Sequence, residues 1–172
     1  MDLRDITEFL KDTFKYILVI VVVLLIAIFV FSFQQVVGPS MSGTLEENDV
    51  TIVNKLLYNF KSIERNDIVS VKVGDKVMVK RVIGLPGEYI EYKDNVLYIN
   101  GEGFQEKEIK QTTDDFKISD LGYDKIPEGS YFVMGDNRGN SQDSRDYGPI
   151  KKEEIVGKVS LRIFPINGFK FF

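Results

Sequence analysis

The chain has 172 residues and a formal net charge of −4, with no cysteine, histidine or tryptophan. That length suits one ordinary domain with a tail. Lacking cysteine, the chain has no disulfides and no thiolate chemistry. Lacking histidine, it has no imidazole base or ligand, which argues against a zinc enzyme and excludes any Ser-His-Asp or Cys-His triad. The acidic balance argues against a nucleic-acid partner.

From Tyr16 to Phe33 the sequence reads YILVIVVVLLIAIFVFSF, uncharged throughout. With Phe14, Val36 and Val37 at its margins, this run is long enough to cross a hydrocarbon core of ~30 Å as a helix. A buried core helix of such uniformity is rare in so small a domain, and the FQQVVGPS that follows offers no small-x-small cleavage site. The expectation is one transmembrane helix over residues 16–36. Arg4, Lys11 and Lys15 precede the run, and the next basic residue is Lys55. By the positive-inside rule, residues 1–15 form a cytoplasmic tail and 37–172 an extracytoplasmic domain. The protein is then a single-pass protein of the cell membrane.

Residues 48–56, 67–73 and 76–83 read as strands, the last two joined by a tight turn at Gly74-Asp75. EYIEY (88–92) and NVLYI (95–99) read as a second hairpin around Lys93-Asp94. Residues 101–128 are polar and read as a surface excursion, so that 88–129 forms a small β-hairpin excursion from the domain. SYFVM (130–134) is a buried strand by composition and runs into a loop, GDNRGNSQDSRDYGP. EIVGKVSLRIF (154–164) is a last strand, bent at Gly157. The exported part is therefore expected to be mainly β and close to the membrane.

Hydrolytic chemistry without histidine needs another base for a serine. Lysine serves only if its amine is kept neutral. At a free pKa of ~10.4, roughly one lysine in a few thousand is neutral at pH 7; a pKa of about 8 raises that to near a tenth. Such a lysine belongs among apolar side chains, with a hydroxyl to orient it. Lys80, in VMVKRVIG, shares a strand face with Met78 and Val82, while Val79 and Arg81 point the other way. On spacing alone, a solvated strand lysine is the plainer reading. Ser40 lies in GPSMSGTL, directly after Pro39 and flanked by Gly38 and Gly43, where its own N–H can stay free for an oxyanion. Taken by itself this segment reads more plainly as an ordinary turn. The pattern G-x-S-x-G fails at Ser42, and S-x-x-K occurs nowhere. The loop 135–149 does not fit an EF-hand, because glycine comes at the fourth place. A solvated loop held by its own Asp-Arg pairs remains open. No metal site and no cofactor is expected.

Taken together, these segments resemble the bacterial type I signal peptidases, membrane-bound Ser-Lys endopeptidases that remove signal peptides. GPSMSGTL is similar to the family's nucleophile box, usually PSM-x-PTL. NDIVSV (66–71), KRVIGLPGE (80–88) and GDNRGNSQDSRDYG (135–148) resemble the boxes that follow, in the same order. The resemblance implies a signal-peptidase-type catalytic β domain behind one N-terminal transmembrane helix. It implies that Ser40 is the nucleophile, its backbone N–H serving the oxyanion hole, and that Lys80 is the general base. Ser141 corresponds to the serine that orients the lysine. Asp143 and Arg145 correspond to paired charges that hold the loop, and Asp136 and Arg138 fall on further supporting positions. Met41, Leu45 and Val79 match positions lining a pocket for small side chains. Implied partners are the signal peptides of exported preproteins and the lipid bilayer. Two departures stand out. Gly43 replaces the usual proline, leaving the loop less stiff, and Gly38 stands where some members have a serine. The C-terminal RIFPINGFKFF reads either as an interfacial contact or as a core-packed strand. Two rivals are a repressor-like Ser-Lys protease, which would carry a DNA-binding domain, and a non-catalytic anchored β domain.

Overall fold

The computed structural model describes residues 3–56, 62–106, 109 and 111–172. Helix α1 spans Leu3–Val30. Its stretch Glu8–Val30 is 23 residues long, apolar, and unburied by the rest of the chain. At ~1.5 Å per residue it reaches about 34 Å, enough to cross a bilayer.

The helix stops at Val30, short of residue 36. Phe31–Gln35 is strand β1, paired antiparallel with β2 (Val50–Asn54), Phe33 opposite Ile52. The alternation Phe-Ser-Phe-Gln has the period of a strand, and β2 offers a ladder that a helix end would leave unused. The β domain thus begins at the residue after the helix. At the other end the helix reaches into the expected tail, starting at Leu3.

The remaining strands follow in order: β3 (Ile68–Val73), β4 (Lys76–Gly84), β5 (Ile90–Lys93), β6 (Val96–Ile99), β7 (Glu102–Phe104), β8 (Phe116–Lys117), β9 (Ser130–Met134), β10 (Ile150–Lys151), β11 (Ile155–Phe164) and β12 (Lys170–Phe171). The larger sheet runs β1-β2-β11-β3-β4-β9-β10, with β12 added to β11; the smaller runs β7-β6-β5-β8. Every pair is antiparallel. The β3–β4 hairpin turns at Gly74-Asp75, between Val73 and Lys76. The β5–β6 turn falls one residue later than expected, on Asp94-Asn95, both with positive φ as a two-residue hairpin requires. A register shift at Gly157 bends β11 where it meets β3.

Residues 101–128 are more than a surface excursion. Ile118 and Ile126 are buried with Ile83, Ile90, Tyr92, Leu97 and Phe132 in a core between the two sheets. Residues 107, 108 and 110 of that segment lie outside the described residues. A second cluster, around Val69, Val71, Val82 and Val133, fills one face of the larger sheet. A third, built on Val36, Met41, Leu45, Val53, Ile68, Val79 and Val159, sits under the segment that carries Ser40. Strand β4 feeds all three, since Val82, Ile83 and Val79 point into different clusters. The C-terminal segment divides: Phe164, Ile166, Phe169 and Phe171 are exposed, while Phe172 packs against the third cluster.

Candidate active site

Lys80 lies mid-strand on β4, opposite Val69 of β3. Because β4 is central in the sheet and packs against apolar clusters, the side chain is 2% exposed. Burial pushes its amine down to about 8; the Asp143 carboxylate works against that shift, and the Arg145 guanidinium works with it. A solvated strand lysine is therefore not what the fold builds.

The Lys80 Nζ donates to Ser141 Oγ at 3.0 Å. Ser141 in turn donates its hydroxyl proton to Asp143 Oδ2 at 2.8 Å. With that proton committed, Ser141 acts only as acceptor toward Lys80. A neutral amine so held keeps its lone pair free for another partner. Burial opposes the charge on Asp143, but Arg145, the Gly135 N–H and the Ser141 hydroxyl together hold its carboxyl below the usual range. Arg145 grips Asp143 with Nε and Nη2, both at 2.9 Å, and also donates to the Arg138 carbonyl at 2.7 Å. Asp143 further caps the one-turn helix α2 (Ser144–Tyr147), accepting from the Arg145 N–H.

Ser40 sits in the turn after β1. Ser40, Lys80, Val36, Met78, Val79 and Gln142 share the walls of a cleft of about 170 Å³. The Ser40 carbonyl accepts from the Asn137 N–H at 3.0 Å, and the Asn137 side chain donates to the Pro39 carbonyl at 3.0 Å. Among the described residues the Ser40 N–H donates to nothing, and no hydrogen bond joins its hydroxyl to Lys80. Contacts of that kind commonly tighten only when substrate is bound. Val79 lines the cleft; Met41 and Leu45 lie fully buried beneath it, in the cluster that Val36 and Val79 share.

Two further anchors hold the 135–148 loop. Arg81 binds Asp136 with Nε at 2.8 Å and Nη2 at 2.6 Å, both side chains buried, and also reaches the Asn66 carbonyl and the Thr44 hydroxyl. Arg138 donates to the Gly135 carbonyl, Tyr92 Oη, Thr113 Oγ1 and the Glu106 carboxylate, which ties the loop to the smaller sheet. Among the described residues no cluster of three or more acidic side chains is placed to hold a metal ion.

Sequence reasoning passed over Arg81, Asn137 and Gly135. In the sequence Arg81 merely points away from Lys80 along its strand, and nothing local sets Asn137 apart from the other polar residues of its loop. Gly135 is decisive on steric grounds: a Cβ there would overlap both Ser141 Oγ and the Ser40 carbonyl oxygen. Gly135→Ala is therefore expected to force the two serines apart. On the Ser-Lys endopeptidase reading that the resemblance implies, kcat/KM for peptide cleavage should fall about 100-fold or more, the cost of an ångström-scale misplacement. A variant that folds and cleaves at the wild-type rate would show that the two segments need not approach so closely.

A mostly β domain behind one apolar helix, with a serine and a buried lysine in one cleft and no histidine in the chain, has the frame of a serine endopeptidase. The family model described as signal peptidase, peptidase S26, matches residues 7–164. The chain is 47% identical over 142 residues to signal peptidase I V of Bacillus subtilis, covering 76% of this chain and 84% of that one. It is 43% identical over 155 residues to signal peptidase I of Bacillus caldolyticus, covering 84% and 85%. A crystal structure of a signal peptidase I from Enterococcus faecalis superposes with a TM-score of 0.53 at 36% identity, covering 58% of this chain and 98% of that one. The chain belongs to the signal peptidase family S26, and is a hydrolase of the serine endopeptidase class with the signal peptidase I fold.

Proposed function

We propose that this protein is a membrane-anchored endopeptidase that removes signal peptides from exported preproteins, with Ser40 as nucleophile and Lys80 as general base. The observation that carries the reading is the Lys80 amine: buried, held by Ser141, lowered to about 8, and in one cleft with a serine whose N–H is free. Neutral Lys80 takes the proton of Ser40 as Oγ attacks the scissile carbonyl. The Ser40 N–H receives the oxyanion. The ammonium then protonates the leaving amine, which departs as the new N-terminus and leaves an ester on Ser40. Lys80 next takes a proton from water, and the attack of that water releases the signal peptide as a carboxylate and restores the serine.

The narrow cleft, walled by Val36 and Val79, suits small side chains next to the cut. Helix α1 anchors the site at the bilayer, with the N-terminus in the cytoplasm and the β domain outside. Because β1 starts directly after the helix, the cleft stays close to the surface where cleavage sites emerge. Incubating the detergent-purified protein with one preprotein and sequencing the new N-terminus tests the reading. A single cut after a small residue at the end of the signal peptide supports it; no cut, or cuts scattered through the mature part, overturns it.

The amine also sets a pH dependence. With a pKa of about 8, roughly a tenth of Lys80 is neutral at pH 7 and a hundredth at pH 6, so kcat/KM should fall about tenfold per unit below pH 8. Arg145→Gln should move that limb to higher pH, since it leaves the Asp143 charge uncompensated beside the amine. A profile flat down to pH 6 would exclude a lysine base.

A further inference from the structure

Gly43 stands where the pattern this chain resembles has proline, and the turn after Ser40 uses the freedom glycine has. Gly43 has φ +99°, and its N–H donates to Glu46 Oε1 at 2.9 Å. The Ser42 hydroxyl donates to the other oxygen of the same carboxylate, Oε2, at 2.8 Å. A proline at position 43 allows neither feature, because its ring holds φ near −65° and it has no N–H. One carboxylate thus spans both residues of the turn.

Glu46 is itself held. Its N–H donates to Asp49 Oδ2 at 2.9 Å, and its carbonyl accepts from the Asp49 N–H at 3.1 Å. Arg162 of β11 donates to that same Asp49 oxygen at 2.9 Å. The buried Asp49 therefore roots the clamp in the larger sheet. Glu46 is exposed and fills no space in the core, so its carboxylate adds little to global stability. Its two acceptors act on backbone and side chain within three residues of Ser40.

We infer that Glu46 is a positioning residue: its carboxylate locks the Ser42–Gly43 turn and so aims the Ser40 hydroxyl and N–H, supplying a restraint that glycine by itself lacks. The inference rests on the reading of Ser40 as nucleophile. Misplacing a reacting group by an ångström costs on the order of 100-fold in rate, whereas substrate affinity depends on the cleft walls, of which Glu46 is not one.

The test is kcat, KM and the thermal midpoint for the full-length protein in detergent with one preprotein, in Ser42→Ala, Glu46→Ala, the double variant and Glu46→Gln, with Ser40→Ala alongside. Glu46→Ala is expected to lower kcat about tenfold or more, leaving KM within about twofold and the midpoint within about 2 °C. The double variant should be no worse than Glu46→Ala, because both singles break one clamp. Glu46→Gln should recover most of the rate, since its amide oxygen still accepts from Gly43 and its NH2 can meet the Ser42 oxygen. Wild-type kcat in Glu46→Ala would overturn the clamp, and so would a loss that tracks a lowered midpoint and vanishes on cooling. If Ser40→Ala still cleaves, the nucleophile assignment falls and the clamp falls with it. If Ser40→Ala is dead and Glu46→Ala is unaffected, the clamp alone falls.

Discussion

Lys80→Met should abolish cleavage and at the same time make the protein more stable at pH 7. On the proposed mechanism, this removes the group that takes the serine proton, and rate losses of about a thousandfold or more accompany removal of such a partner. Ser40→Ala should be equally inactive, and adding Lys80→Met to it should cost nothing further, because the two act as a unit.

The gain in stability follows from the amine's titration. In the folded chain Lys80 sits at about 8, against 10.5 when free. Below pH 8 both states carry the proton, and the folded state bears the full cost of burying an ammonium, about 3 kcal/mol for a shift of that size. Between pH 8 and 10.5 the unfolded chain binds the proton while the folded chain does not, so wild-type stability rises with pH through that window. Methionine fills nearly the same volume without charge, and Ser141 keeps its bond to Asp143. The variant should therefore exceed wild type by about 1–3 kcal/mol at pH 7, with the gap closing toward pH 10. Denaturant midpoints at the two pH values check this. A variant less stable than wild type at both would mean that the ammonium is well solvated in the fold.

Asp136→Ala carries the largest expected loss of stability. Arg81 and Asp136 are 5% and 4% exposed and meet in a two-pronged contact. Removing the carboxylate strands a guanidinium in the interior, with the Asn66 carbonyl and the Thr44 hydroxyl its remaining acceptors among the described residues. Breaking a buried pair in this way costs about 3–5 kcal/mol. Replacing both members, as in Arg81→Met with Asp136→Leu, should recover much of that loss, since no charge is then left unpaired. Cleavage should stay low even in the double variant, because the pair ties β4, which carries Lys80, to the loop that carries Ser141. A double variant as unstable as Asp136→Ala alone would show that the cost lies in packing rather than charge.

Much of the fold is legible in the sequence. Alternating valines marked β3 and β4, and Gly74-Asp75 marked their turn, because strand period and turn chemistry are local properties. The apolar run was equally plain. Its end was not, since Phe31–Gln35 becomes a strand only by pairing with Val50–Asn54, fifteen or more residues on. The polar stretch 101–128 concealed Ile118 and Ile126, two apolar side chains too isolated to show a period, yet buried once the smaller sheet folds back.

The sequence by itself determined the kinds of chemistry open to the chain. Without histidine a serine has to rely on another base; Lys80 among valines is one candidate, but its spacing alone reads as a solvated lysine, and the family resemblance is what singles it out. It also determined the order of the four segments on which the family resemblance rests. Only the tertiary structure decided that Lys80 is dry, that Ser141 rather than solvent holds it, and that Arg145 offsets Asp143 beside it. Desolvation depends on what every neighbour excludes, and these neighbours come from segments some forty and sixty residues away in the chain. The same holds for Gly135, whose missing side chain matters only because two distant serines converge on it.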